Sequence, residues 1–142
     1  MTSIDPNWTG EPHDDDIYKE NIIDHYKHPR NNTVLEHADI IAAASNPLCG
    51  DNVTIYLALQ DNTITNATFT GRGCAISQAA ASMLTDHIQS KSLQDVTALT
   101  PHHITALLGI TLSIIRMRCA TLILNALHNG LSQETNHEQT RH

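Results

Sequence analysis

Three cysteines and one aspartate are the residues of this 142-residue chain whose types and spacing could do chemistry. Cys49 and Asp51 lie two positions apart in NPLCGD, Cys74 follows Asp51 by 23 residues, and Cys119 follows Cys74 by 45. Three thiolates and a carboxylate suit a tetrahedral zinc ion, and they also suit an anchor for iron and sulfide. The separations match no zinc-finger spacing, so three unrelated buried thiols remain an alternative.

The local contexts of the cysteines differ. Cys49 lies on a turn that enters a strand, and Cys74 opens a helix, where unsatisfied backbone N–H groups favour a thiolate. Cys119 has apolar residues three, four and seven positions later, which favours a core position over a ligand. Arg116 and Arg118 beside it favour a thiolate instead. An odd number of cysteines and no visible secretory signal argue against a disulfide framework.

The elements that must position these residues are predicted from periodicity and turn signals. Acidic residues, apolar residues at helical spacing and a following proline predict a first helix from about Asp16 to His28. Alternating or β-branched stretches predict three strands, at 38–45, 53–59 and 64–70. The turn residues QDNT join the last two strands as a hairpin.

The second half of the chain is predicted to be helical. GRG ends the third strand, and an alanine-rich helix begins at Cys74. Two short helical pieces flank Thr100-Pro101, and a last helix over 116–130 ends at Gly130 as its C-cap. A three-stranded antiparallel sheet with one apolar face needs helices on that face, so the fold class is α+β.

Charge and composition exclude several classes of protein. The net charge is −7, and residues 1–24 hold seven acids against one lysine. The chain therefore has no basic surface for nucleic acid. The longest apolar run is too short to span a bilayer, and without a signal sequence we expect a cytoplasmic protein. The predicted domain is 14–131, between a disordered acidic leader at 1–13 and a disordered tail at 132–142.

Four local sequences together resemble the U-type iron–sulfur cluster assembly family, which includes IscU, SufU and the N-terminal part of NifU. They are IYKENIIDHYKHPRN, NPLCGD, GRGCAISQAAASMLTD and RMRCATL, in that order, between about Ile17 and Gly130. The stretch after Cys74 and the arginine-flanked Cys119 are most similar to the SufU branch. The chain lacks that branch's insertion between the second and third cysteines, and it has Arg118 where IscU proteins have a histidine.

The resemblance implies a fold and a site. The fold is a three-stranded antiparallel sheet with helices on one face, and the site is a shallow one near one end. The family's first cysteine and its aspartate fall on Cys49 and Asp51, its second cysteine on Cys74, and its last on Cys119. These four residues are the expected metal or cluster ligands.

The resemblance also implies a partner, a cysteine desulfurase that passes persulfide sulfur to one of the thiols. In the SufU manner zinc is the cofactor, Cys49 is the main sulfur acceptor with Cys119 as the alternative, and Arg116 stabilises a thiolate or takes part in a ligand swap. In the IscU manner the same groups hold a [2Fe–2S] cluster until it passes to downstream acceptor or carrier proteins. A purely structural zinc or interaction domain is the third alternative. A zinc hydrolase is disfavoured, because four protein ligands leave no open position for water.

Overall fold

The computed structural model describes the backbone of residues 19–48 and 50–140 and the side chains of residues 19–48 and 50–133. Within that part, one helix precedes a three-stranded sheet and five helices follow it. Cys49 and the predicted leader lie outside the described residues. The elements are α1 (Glu20–Lys27), β1 (Ile40–Asn46), β2 (Asp51–Gln60), β3 (Thr63–Arg72), α2 (Ala75–Ile88), α3 (Leu93–Thr97), α4 (Pro101–Leu108), α5 (Ile114–Ala120) and α6 (Leu122–Thr140).

The sheet is antiparallel throughout, in the order β1-β2-β3. Its inner face carries a cross-strand row in which Ala42, Ile55 and Phe69 stand opposite one another, and all three are buried. The next row, which includes Ile41 and Tyr56, points to the outer face, where Ile41 is exposed. One apolar and one partly solvated face are what the alternating sequence predicts, and the predicted α+β class is confirmed.

A two-residue turn connects β2 and β3 in the hairpin. Asp61 and Asn62 both adopt positive φ, at 54° and 64°. Positive φ at both central positions is the type I′ geometry that matches the twist of paired strands, and aspartate and asparagine tolerate it. The turn and a one-residue register shift at Ala58 and Leu59 together fix which residues of β3 stand beside the start of β2. Asn52 pairs with Arg72 at that end of the sheet.

Helices α2 and α6 cover the inner face of the sheet. α6 packs on β1 and β2, and α2 packs on β3. α2 also contacts α1, α4, α5 and α6, so it is buried on almost every side. Its alanines permit this close packing because they add little bulk where several helices meet. None of the described helices is long and apolar enough to cross a membrane.

The last predicted helix differs from the structure in two ways. It is divided into α5 and α6 at Thr121, whose hydroxyl donates to the Met117 carbonyl at 2.8 Å, a bond of the kind that often bends helices. The prediction that Gly130 ends the helix is wrong, because α6 continues to Thr140. A Cβ on Gly130 would lie 2.7 Å from Ile40 Cγ2, so this glycine serves close helix–strand packing instead. The domain limit at residue 131 stays a prediction.

A buried hydroxyl joins α1 to α2. Ser82 Oγ accepts from the Arg30 amide at 2.8 Å and lies 2.7 Å from His25 Nδ1. Because the amide already donates to this oxygen, the hydroxyl proton is available for Nδ1 of a neutral His25. Burial, followed by the charge of Arg30, lowers the pKa of His25 below its ordinary value of 6.5.

This histidine should make the fold sensitive to acid. The unfolded chain binds the proton more readily than the folded one, so His25 contributes its full stability above about pH 6.5 and loses it as the pH falls further. We expect His25→Gln to lose less stability than the parent between pH 7.5 and pH 5.5 in denaturant titrations, with each pH held within about 0.1 unit. His102→Gln, at an exposed histidine on α4, serves as the control. Equal acid sensitivity in parent and His25→Gln would contradict the assignment.

Gly130 provides a test of the helix–sheet packing. Gly130→Val should lower the free energy of unfolding by about 1–3 kcal/mol, because its methyl groups would overpack the contact with Ile40 and Ala42. Asn125→Val, on an exposed position of the same helix, should change it by less than about 0.5 kcal/mol. Chemical denaturation measures both. A neutral Gly130→Val would show that α6 can move away from β1 at little cost.

Candidate metal centre

Three of the four expected ligands meet at one end of the sheet. One ligand atom each of Asp51, Cys74 and Cys119 lies within 4.8 Å of the other two. In the described part of the chain, no other group of three or more histidine, cysteine or acidic side chains is close enough to hold one metal ion. Cys49 lies outside the described residues, between Leu48 and Gly50 of the β1–β2 turn.

The sheet register and one helix contact bring these residues together. Asp51 is the first residue of β2, and Cys74 lies two residues beyond Arg72, the last residue of β3. Because Asn52 and Arg72 are paired, the start of β2 and the end of β3 lie side by side. Cys119 comes from α5, which packs against the helix that Cys74 precedes. Residues far apart in sequence are thus placed at one site by strand pairing and helix packing.

The Asp51 carboxylate is the most constrained group of the site. The residue is only 6% exposed, and its Oδ2 has no hydrogen-bond partner among the described residues. Leaving a buried oxygen unsatisfied costs about 1–3 kcal/mol, and more when it is charged. A cation shared with two thiolates would offset that cost. The donor set of two sulfurs and one oxygen therefore fits a bound metal ion, and the chemistry suits zinc or iron.

The two described thiols differ in exposure. Cys74 is the N-cap residue of α2, is exposed, and its side chain makes no capping hydrogen bond. Cys119 is buried, as the helical pattern around it predicts, and is 7% exposed. Both are free of disulfides. The core and ligand interpretations of Cys119 therefore do not exclude each other, because its sulfur faces Asp51 and Cys74 from the edge of the core.

Arg116 and Arg118 flank this site on α5. Arg116 lies one helical turn before Cys119, is half-buried, and its amide donates to the Ser113 hydroxyl at 3.3 Å, which caps the helix. Arg118 is exposed. The short helix thus carries one thiol and two cations, and the sequence prediction of a basic neighbourhood for Cys119 agrees with this placement.

Gly73 and Ser77 belong to the site, and the sequence analysis missed them. A Cβ on Gly73 would clash with Ser77 Oγ and lie 3.1 Å from Asp51 Cγ, so the space that a side chain would fill is taken by site residues. Ser77 is buried, and its hydroxyl donates to the Cys74 carbonyl at 3.1 Å. The glycine in GRGC was interpreted only as a strand breaker. Its place directly before a ligand is the signal that could have identified a close approach.

Comparisons with known proteins agree with this geometry. The model of the NifU-like N-terminal domain family matches residues 17–140, most of the chain. The chain belongs to this family. The match confirms the resemblance to iron–sulfur cluster assembly proteins that the four local sequences indicate.

Individual members of the NifU-like family are similar over most of the chain. The zinc-dependent sulfurtransferase SufU of Bacillus subtilis is 34% identical, and the match covers 84% of this chain and 92% of the relative. An iron–sulfur cluster assembly scaffold protein IscU of Archaeoglobus fulgidus is 33% identical, with 81% and 74% covered. The N-terminal domain of a NifU-like protein from Brucella abortus has the same fold, with a TM-score of 0.69 at 20% identity over 84% of this chain and 94% of the other.

Gly73 is the residue with which the geometry of the site can be tested. Gly73→Ala should weaken zinc binding about tenfold or more, because the methyl group displaces Asp51 or Ser77, and it should cost about 1–3 kcal/mol of stability. Removing the Ser77 side chain as well, in Gly73→Ala/Ser77→Gly, should restore part of the affinity. Competition with a chromogenic chelator measures the binding.

Gly109→Ala is the control for this experiment. Gly109 has a φ of +74° and ends α4, so alanine there strains the backbone outside the cluster of Asp51, Cys74 and Cys119. It should lower stability without changing zinc affinity. Unchanged zinc affinity in Gly73→Ala would contradict the close approach of Gly73 to the metal ligands.

Proposed function

We propose that this protein is a sulfur acceptor in iron–sulfur cluster assembly, receiving persulfide sulfur from a cysteine desulfurase at a zinc site. The observation that carries the proposal is the meeting of Asp51, Cys74 and Cys119 within 4.8 Å around a buried carboxylate oxygen that lacks a partner. Its similarity to the zinc-dependent sulfurtransferase SufU of Bacillus subtilis supports the same activity here. The cytoplasmic location expected from the sequence belongs to this proposal.

The chain's own residues define what the site would do. Asp51, Cys74 and Cys119, with Cys49 from the neighbouring turn, would hold the zinc ion. Bound zinc keeps its thiol ligands deprotonated and ready to act as nucleophiles. Among these ligands the Asp51 oxygen is the hardest, so zinc, which prefers the thiolates, would release it most readily. Asp51 would thus be the ligand that gives way when the partner docks.

The sulfur transfer itself is a thiol–persulfide exchange. A thiolate of this chain attacks the outer sulfur of the desulfurase persulfide, and a new sulfur–sulfur bond forms as the old one breaks. The electron pair of the broken bond leaves with the desulfurase cysteine, which departs as a thiolate. No external oxidant or reductant is needed, because the transferred sulfur keeps its oxidation level.

The proposed main acceptor is Cys49, with Cys119 as the alternative. The 7% exposure of Cys119 argues against it as the first point of attack, because a docked partner must reach the sulfur. Arg116, one turn before Cys119 on α5, would stabilise that thiolate or take part in a ligand exchange when the partner arrives. The exposure of Cys74 makes its thiol accessible as well, so the acceptor needs a direct measurement.

A second function uses the same residues. In a scaffold, a [2Fe–2S] cluster would be the cargo that the four ligands assemble and pass to a downstream acceptor or carrier. The 33% identity to the IscU scaffold protein of Archaeoglobus fulgidus supports this alternative. The separation of 45 residues between Cys74 and Cys119 also supports it, because the chain lacks the insertion that SufU proteins have between these two cysteines.

Asp51→Ala should distinguish the two functions. A zinc-dependent sulfur acceptor should lose about tenfold or more in zinc affinity and take up little sulfur from a desulfurase supplied with cysteine. A cluster scaffold should hold its cluster longer, because the ligand that starts release is gone. Zinc and acid-labile sulfide are measured on protein purified without oxygen, and persulfide is located by mass spectrometry on Cys→Ser variants at 49, 74 and 119.

Asp86→Ala is the matched control, because Asp86 is an exposed aspartate on α2 that belongs to no metal cluster among the described residues. It should behave as the parent in every assay. Full zinc occupancy in Cys74→Ser would contradict the site. Normal zinc binding without any stimulation of, or sulfur uptake from, a desulfurase would instead indicate a purely structural zinc domain.

A further inference from the structure

The hydroxyl of Ser77 makes a hydrogen bond that its acceptor does not need. It donates to the Cys74 carbonyl at 3.1 Å. The same carbonyl already accepts the backbone amide of Gln78 at 3.0 Å, which is the hydrogen bond that begins α2. A carbonyl that is satisfied in this way gains little from a second, neutral donor. The Ser77 hydroxyl could therefore turn to another acceptor at small cost.

An acceptor that lacks a donor lies close to this hydroxyl. Oδ2 of Asp51 is buried and has no hydrogen-bond partner among the described residues. A Cβ placed on Gly73 would lie 3.1 Å from both Asp51 Cγ and Ser77 Cβ, and it would clash with Ser77 Oγ. The carboxylate and the hydroxyl are thus close neighbours, and Gly73 has no side chain to separate them. Rotation about the Cα–Cβ bond of Ser77 moves its hydroxyl between staggered positions beside the carboxylate.

Both side chains are shielded from water. Asp51 is 6% exposed and Ser77 is 7% exposed. A carboxylate in such a place needs a cation or a donor from the protein, because a buried charged oxygen without either is costly. A metal ion shared with the two thiolates would meet this need. Whenever Asp51 is not bound to a metal ion, a donor from the chain has to meet it instead.

We propose that Ser77 is a positioning residue that receives the Asp51 carboxylate whenever this carboxylate leaves the metal ion. With the hydroxyl on the Cys74 carbonyl, Oδ2 of Asp51 is open to a cation. With the hydroxyl turned to Oδ2, the released carboxylate has a charge-assisted hydrogen bond in place of the metal ion. The hydroxyl thus alternates between two acceptors, and binding of a metal ion by Asp51 decides which of them it takes.

This exchange would make Asp51 easier to release. The inference rests on the metal site of the proposed function and does not depend on sulfur transfer. A ligand from a docked partner could replace Asp51 more readily, because the displaced carboxylate would not remain as an unpaired buried charge. A scaffold that passes on its cluster would gain the same advantage. Ser77 therefore favours ligand exchange over tight metal binding.

Ser77→Ala tests this role through the affinity for zinc. The variant should bind zinc about tenfold more tightly than the parent, because it lacks the donor that stabilises the released carboxylate and keeps every metal ligand. Release of zinc to an excess of chelator should slow by a similar factor. Competition with chromogenic chelators measures the affinity, and stopped-flow absorbance measures the release. A residue that only supported the shape of the site would weaken zinc binding when removed, so weaker or unchanged affinity would overturn the proposal.

The same substitution in an Asp51→Ala background shows whether the effect passes through the carboxylate. There, Ser77→Ala should change zinc affinity by less than about twofold, because the acceptor is already gone. Equal tightening with and without Asp51 would overturn the proposal. Ser82→Ala is the matched control, since Ser82 is a buried serine of the same helix whose hydroxyl accepts the Arg30 amide. It should lower stability at unchanged zinc affinity, and tighter zinc binding in this control would also contradict the proposal.

A measurement without metal separates this inference from the proposed function. In the presence of a chelator, Ser77→Ala should unfold at a lower denaturant concentration than the parent, and the difference should be much smaller in the Asp51→Ala background. Equal losses in both backgrounds would overturn the inference. A parent protein that binds no zinc, or that binds zinc and accepts no sulfur from a desulfurase, would contradict the proposed function. The coupling between Ser77 and Asp51 in the metal-free protein would still decide the inference.

Discussion

Burial of the Asp51 carboxylate beside two thiols is the constraint on which this end of the molecule depends. A carboxylate in such a place loses most of its hydration, and one of its oxygens receives no hydrogen bond from the described residues. Two neighbouring residues leave space beside the carboxylate. Gly73 has no side chain where one would meet the carboxylate, and Ser77 turns its hydroxyl to the Cys74 carbonyl. A rigid cradle of this kind suits a site that must bind a metal ion and yet exchange one ligand.

The sheet and α2 provide that rigidity. The type I′ turn at Asp61 and Asn62 and the register shift at Ala58 and Leu59 set the strand pairing, and this pairing places the start of β2 next to the end of β3. α2 then begins at Cys74 and runs through the centre of the helical layer, with almost no solvent-exposed side. It contacts four other helices, so packing in the core holds the helix that Cys74 precedes. By contrast, α5 is short and carries its two isoleucines in solvent.

This contrast between a rigid and an exposed side bears on function. A protein of the NifU-like family that receives sulfur or passes on a cluster needs fixed ligands, and it also needs a surface that partners can reach. Cys74 and Asp51 belong to the rigid side. Cys119 and Arg116 lie on α5, whose exposed Ile114 and Ile115 a docked partner could contact.

The sequence by itself determined the class of the fold and the identity of the family. The alternation in β2, the turn residues after Gln60 and the alanine-rich stretch after Cys74 depend on local chemistry, so periodicity and turn rules could predict them. The four local sequences around the cysteines also identified the family before any distance was known. They suggested that Cys74 and Cys119 meet, although 45 residues separate them.

Only the tertiary structure decided the features that depend on contacts between distant segments. The sequence predicted a helix end at Gly130, because it cannot distinguish a glycine at a C-cap from a glycine that packs closely on a strand. Only the position of Ile40 opposite Gly130 distinguishes the two. The break at Thr121 and the role of Gly73 were missed for the same reason. Cys119 was ambiguous from its own helix, since burial and ligation both place a thiol on an inward face. Its distance to Asp51 and Cys74 depends on strand register and helix packing, which no local pattern encodes.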